Sequence, residues 1–256
     1  MIDGARVIAV ANQKGGVGKT TTAVNLGAAL ATHGRSVLLV DLDPQGNATT
    51  SLGLDADSFE SSIYEVIIGE VDLVAAEAET DIPGLFCAPA TLDLAGAEVE
   101  LVSMLARETR LREAIDPVRR RHDIVLIDCP PSLGLLTINA LVAASEILTP
   151  IQCEYLALEG LGALMRNIDL VRKAVNRNLA IGGFVMTMFD ARTNLAGDVV
   201  AEVRRHFGDA VFDTVVPRSV RLSEAPSFGM PIERFAPSSR GAIAYRLLAE
   251  EVLKRD

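Results

Sequence analysis

The stretch that decides the fold is Arg6–Thr22, RVIAVANQKGGVGKTTT. A short apolar run that reads as a buried strand leads into the glycine-rich turn Gln13–Thr20. A helix with an apolar face, predicted over Thr20–Thr32, follows at once. Strand, turn and helix in this order make a phosphate-binding loop, because glycines let backbone N–H groups curl around phosphate oxygens and the helix N-terminus adds its positive end. Lys19 is placed to reach the β- and γ-phosphates, and the Thr20 hydroxyl to ligate Mg²⁺. Lys14, Gly15, Gly16, Val17, Gly18 and Thr21 complete the predicted cradle. Two positions depart from the general pattern GxxxxGK[ST]: Gln13 stands in place of the first glycine, and a second lysine, Lys14, precedes the glycines.

Outward from this loop, short apolar runs alternate with helical patterns, which predicts an α/β fold with buried parallel strands. The strands are expected at Arg6–Ala11, Ser36–Val40, Asp123–Ile127, Glu146–Ile151, Ile181–Met188 and Val211–Val216. Two further runs, Ile63–Ile68 and Leu85–Ala88, are ambiguous. Helices are expected at Leu94–Leu105, Arg110–Arg121, Leu135–Ala144, Leu158–Val175, Gly197–Phe207 and Gly241–Lys254, from apolar residues at three- and four-residue spacing. Asp55–Gly84 reads as an acidic excursion at the sheet edge. Pro217–Pro237 holds four prolines and reads as an extended, turn-rich loop. No linker or repeat divides residues 1–256, so a single domain is predicted.

The 256 residues are 49% hydrophobic and 23% charged, which excludes a disordered chain. No apolar run approaches the roughly 20 residues of a membrane span, and the N-terminal apolar run is too short for a signal peptide. Three dispersed cysteines predict a reducing, cytoplasmic setting rather than a disulfide framework. No tryptophan and 4% aromatics argue against a base-stacking module. A net charge of −10 argues against nucleic acid on average, but residues 1–164 hold 10 basic and 23 acidic side chains against 14 and 11 in 165–256. The second part is therefore net positive, and the two parts suit different partners.

Two further segments end predicted strands in carboxylates, where open α/β sheets bind ligands. The first, Asp41-Leu42-Asp43-Pro44-Gln45-Gly46-Asn47, has two of them. The second is Asp128, followed by Cys129, Pro130 and Pro131, in the arrangement that holds Mg²⁺ through its water shell. Cys129 reads as a small buried residue rather than an iron–sulfur ligand, for want of a matching pair of cysteines.

The loop KGGVGKT resembles the deviant form found in the ParA/MinD superfamily of ATPases. The segments Leu92–Glu100, Leu133–Asn139, Gln152–Gly162, Thr187–Leu195 and Val216–Gly229 narrow the likeness to the chromosomal ParA, or Soj, family over nearly the whole chain. The resemblance implies a three-layer P-loop NTPase and ATP/ADP with Mg²⁺. It makes Lys14, Lys19 and Asp43 catalytic, with Lys14 reaching the partner's phosphates across an ATP-dependent homodimer. Asp43 positions the attacking water in switch I, supported by Asp41, and the metal set is Thr20, Asp43 and Asp128. Asp128, Pro130 and Pro131 become switch II, and Pro217 and Arg218 pass the adenine.

By position, Arg192, Arg221 and more weakly Arg218 match arginines that hold double-stranded DNA without sequence preference, which suits salt-sensitive phosphate contacts. The family also implies a ParB-like partner with a basic segment that stimulates slow hydrolysis, and a nucleoid-associated location without membrane binding; an acidic face suits such a segment, and Asp55–Asp81 is read either as that face or as plain solvated surface. A MinD-like membrane-associated regulator is the alternative. It is disfavoured because Gly241–Asp256 is poor in cations, and its Ile243, Leu247, Leu248 and Val252 are expected in the core. A metabolic ligase related to dethiobiotin or cobyrinate synthetases is the third reading, and would need a second-substrate constellation that the sequence does not show.

Overall fold

The computed structural model describes residues 4–154 and 157–255. Eight strands form: β1 Arg6–Val10, β2 Val37–Asp41, β3 Ala78–Glu79, β4 Leu85–Ala88, β5 Ile124–Asp128, β6 Glu146–Gln152, β7 Ala180–Phe189 and β8 Val211–Pro217. They join one sheet in the order β3-β4-β2-β5-β1-β6-β7-β8. All neighbours run parallel except the short edge strand β3, which is antiparallel to β4.

The helices are α1 Lys19–Thr32, α2 Asn47–Ser51, α3 Ile63–Ile68, α4 Leu94–Ser103, α5 Arg110–Ile115, α6 Leu135–Ala143, α7 Ala157–Ala174, α8 Asn194–Phe207, α9 Val220–Glu224, α10 Ile232–Phe235 and α11 Arg240–Lys254. They cover both faces of the sheet, the predicted three-layer sandwich. Because strand side chains alternate, each central strand feeds two cores. Val7, Leu38, Val125 and Ile127 pack under α3–α8, while Ile8, Leu39, Ile124 and Leu126 pack under α1 and α11.

Several expectations change. Of the two ambiguous runs, Leu85–Ala88 is strand β4 and Ile63–Ile68 is a helix: Ser62 and Glu65 form a capping box that satisfies first-turn N–H groups. The acidic excursion does end at the sheet edge in β3, but its Ile63 and Ile67 are core residues. The helix predicted over Arg110–Arg121 is α for one stretch only, to Ile115, and Pro117 then lies in a 3-10 turn.

Pro217–Pro237 is not an extended loop. It folds as α9, a 3-10 turn over Ala225–Phe228 and α10, because Pro226 and Pro231 sit at helix starts, where a missing N–H costs nothing. On α11, Leu248 and Val252 are buried as expected, but Ile243 and Leu247 are 45% and 48% exposed. They line an open groove against β8, so they are not core. Among the described residues no helix is long and apolar enough to cross a membrane.

Candidate functional site

The sheet register sets the site. Val10, at the end of β1, pairs with Asp128 at the end of β5, which in turn pairs with Asp41 at the end of β2. Three strand ends thus face one spot, over which the Gln13–Thr20 turn arches. Gly16 and Gly18 have φ of 74° and 88°, a left-handed conformation that side chains rarely adopt. Gly18 caps α1 without any side-chain hydrogen bond, and no acidic residue lies in the first turn of α1. The helix's first N–H groups therefore have no side-chain cap and lie where an anion is favoured. The turn is pinned from both sides: Asn12 donates to the Pro150 carbonyl at 2.8 Å and accepts from the Lys14 N–H at 3.0 Å, and the Thr187 hydroxyl donates to the Val17 carbonyl at 2.8 Å.

Below the turn lie charges that a closed core would not tolerate. Lys19 is 7% exposed, and its ammonium donates to the Lys14 carbonyl at 3.4 Å. Burial pushes its pKa down, against the pull of Asp128, Cys129 and Asp43. Asp128 is fully buried, and neither of its oxygens has a hydrogen-bond partner, although the Thr20 hydroxyl is near enough to favour its ionised form. Burial first, and Asp41 next, raise the Asp128 pKa well above the usual carboxylate range. A divalent cation with its water shell fits this unsatisfied carboxylate, supplying both positive charge and donors. Thr20, Asp43 and Asp128 are the side chains that could hold it.

Asp43 is 8% exposed and bonds the Gln45 N–H at 3.0 Å through one oxygen, Oδ1. It shares a cavity of about 380 Å³ with Gly15, Lys19, Thr20 and Pro131. Asp41, also buried, is held by the segments around it. Its Oδ2 accepts the N–H and the hydroxyl of Thr49, each at 2.8 Å, and its Oδ1 accepts the Asp43 N–H at 3.3 Å. Both oxygens thus help to fasten α2 and the turn after β2, and burial lifts the Asp41 pKa to about 6. Thr49 passes the link on by accepting the Ala90 N–H at 3.0 Å. Nothing in the sequence marks Thr49 out.

A second cavity, about 390 Å³, adjoins the first through Gly18, Thr21 and Met188, and reaches Pro217, Arg218 and Tyr245. Met188, at its mouth, holds φ of 53°, uncommon for a residue with a side chain. The Arg218 N–H is bound to the Phe189 carbonyl at 2.9 Å. Pro217 and Arg218 also border a third cleft of about 700 Å³, which holds Arg192, Arg221 and a residue the sequence reading missed, Arg240.

Two of these arginines have partners. Arg192 forms a two-point contact with Asp190 at 2.6 and 2.9 Å, which drives the Asp190 pKa strongly down, and Arg221 meets Glu224 at 3.0 Å. Lys14 also has one, Glu154 at 3.7 Å. Cys129 is buried, and burial pushes its thiol pKa far up. Of the segment Gln152–Gly162, Tyr155 and Leu156 lie outside the described residues.

A family model described as "AAA domain" matches residues 5–181. The chain is 53% identical over 247 residues to the sporulation initiation inhibitor protein Soj of Bacillus subtilis, covering 96% of this chain and 98% of that one. It is 51% identical to the chromosome partitioning protein ParA of Caulobacter vibrioides, covering 98% and 95%. Among solved structures it resembles a cobyrinic acid a,c-diamide synthase from Mycobacterium smegmatis with bound ADP and magnesium, at 44% identity, TM-score 0.86, and 98% and 94% coverage.

Proposed function

The chain belongs to the Soj/ParA family of chromosome-partitioning ATPases, and from that premise we propose that it is an ATP-driven partitioning switch. Binding of ATP and Mg²⁺ closes two copies into a homodimer, the dimer holds double-stranded DNA without sequence preference, and a ParB-like partner speeds hydrolysis to ADP and phosphate and so release. Residues 1–256 act in this as one domain, in the cytoplasm and on the nucleoid.

The observation that carries the reading is the buried Asp128 carboxylate without partners, set beside buried Lys19 at the foot of an uncapped helix N-terminus. Magnesium held by Thr20, Asp43 and Asp128 would neutralise phosphate charge during transfer, which is most of what phosphoryl transfer asks of a protein. Lys19 and the Gly15–Gly18 backbone bind the phosphates, and Asp43 orients the attacking water. Pro217 and Arg218 shape the cavity into which adenine fits. Lys14 acts across the dimer once it leaves Glu154. In the arginine cleft, DNA phosphates compete with exposed ion pairs that solvent screens, so the cost of freeing Arg192 and Arg221 is small.

The test is DNA retention with ATP, ADP and no nucleotide across a salt series. Retention with ATP alone, weakening as salt rises, is expected. Retention independent of nucleotide would overturn the switch.

Exposed Ile243 and Leu247 give the membrane-associated alternative one point in its favour. ATP-dependent sedimentation with anionic liposomes would establish it and remove the DNA reading. The likeness to a diamide synthase is the weaker guide to activity, since a chromosome-partitioning ATPase Soj of Thermus thermophilus and the Caulobacter ParA share more of the sequence, 53% and 51% against 44%.

A further inference from the structure

The helix α4 carries apolar side chains on two faces, and the fold uses only one. Leu94, Ala97 and Leu101 are buried against the core. On the opposite side Leu92, Val99 and Val102 stand 76%, 75% and 61% exposed, and Leu105, just past the helix, 92%. Positions 92, 95, 99 and 102 follow the three–four spacing by which one helix receives another, and Ala95 in the gap is also exposed. An exposed apolar surface with this regularity marks an interaction site rather than scattered surface residues.

Its rim is acidic. The Tyr64 hydroxyl donates to Glu100 at 2.9 Å, and Asp93, seven residues before Glu100 and just ahead of α4, falls on the same side of the helix. No lysine or arginine occurs between Ser36 and Ala106, while that stretch holds 14 acidic residues. The cation at the far end, Arg107, is engaged with the Val102 carbonyl at 2.8 Å and Glu108 at 3.0 Å. On the other margin, Glu98 leans against Gly134 in the switch-II segment so closely that a Cβ there would collide with its Oε1, an oxygen that is buried and has no hydrogen-bond partner.

We propose that the exposed face of α4 is the docking surface for a cationic amphipathic helix of a partner protein, and that Glu98 relays docking to switch II. The proposal rests on the ATPase reading above for the relay, but not for the surface. Leucines of the incoming helix cover Val99 and Val102, and its lysines or arginines meet Asp93 and Glu100. Glu98 is a positioning residue: its contact with Gly134 makes the set of the switch-II turn depend on where α4 sits.

The probe is a fluorescent 15-residue peptide with leucine at a and d heptad positions and lysine or arginine elsewhere, titrated into the full chain with and without ATP and Mg²⁺. Saturable binding is expected, weakened about tenfold by the double substitution Val99→Ser with Val102→Ser. The control Leu170→Ser, at another exposed apolar position, should leave it within about twofold. Peptide should raise ATP hydrolysis. Glu98→Ala should keep peptide affinity and basal hydrolysis but lose the stimulation, and Glu98→Gln should restore most of it.

Equal binding by the serine variants overturns the surface. So does loss of the ATP-dependent dimer in light scattering with peptide affinity unchanged, since the stripe would then be covered by a second copy. Stimulation that survives Glu98→Ala overturns the relay. Peptide binding to a chain that never hydrolyses ATP supports the surface and overturns the ATPase reading.

Discussion

The phosphate cradle and the arginine cleft lie on either side of one cavity, which shares Gly18 and Thr21 with the first and Pro217 and Arg218 with the second, yet they are built on opposite terms. In the cradle the functional groups are buried and left incomplete: Lys19 is 7% exposed and Asp128 is fully buried with both oxygens unpartnered. In the cleft they are exposed and already paired, Arg192 with Asp190 and Arg221 with Glu224. A buried unsatisfied charge costs several kcal/mol, so the cradle defines its ligand by what it lacks. An exposed pair costs almost nothing to break, so the cleft defines no single ligand, and its affinity depends on how many such contacts act together.

If that contrast holds, single substitutions should matter in the first region and only sums of them in the second. The largest effect is expected for Lys19→Ala, with ATP affinity falling by 100-fold or more in calorimetric titration; unchanged affinity would remove the cradle from the argument. Asp43→Ala should follow, keeping ATP binding and the dimer while lowering steady-state hydrolysis by about 100-fold. If it abolished the dimer instead, its role would be structural.

Asp128→Asn tests the incompleteness itself. Without nucleotide it should raise the melting temperature by about 2–6 °C, because it removes a carboxyl group whose ionisation burial and Asp41 oppose in the folded chain but not in the unfolded one. In the same variant, or after chelation of magnesium, the stabilisation that Mg²⁺ and ATP give should disappear. Arg192→Ala with Arg221→Ala should change stability by less than about 0.5 kcal/mol, yet lower the slope of log affinity against log salt by roughly 0.9 per lost DNA phosphate contact. The smallest effect belongs to Glu154→Gln. Releasing Lys14 from an exposed pair should lower the ATP concentration needed for dimerisation by no more than about threefold, measured by light scattering.

Much of this was legible in one dimension. The strands that were predicted form within a residue or so, because the central ones are short apolar runs buried on both faces, and such runs tolerate few polar residues. The loop was legible because KGGVGKT places glycines and a lysine where strand meets helix. What misled was local chemistry with two readings. Prolines 226 and 231 signalled a loop but start helical turns. Ile63–Ile68 stayed ambiguous by its β-branched content, although Ser62 and Glu65 spell a helix start. Ile243 and Leu247 fit a helix's apolar face by spacing, but the sheet ends at β8, leaving no layer to cover them.

By itself the sequence determined the alternation of strands and helices, the phosphate loop and the carboxylates at the strand ends, since each is a property of neighbours along the chain. Only the tertiary structure decided which carboxylate is free to work. Asp41 and Asp128 look alike in sequence, each closing an apolar strand. Folding brings Thr49 to one and leaves both oxygens of the other without a hydrogen bond, so a buried carboxylate is fastened or left open according to the donors that distant segments supply.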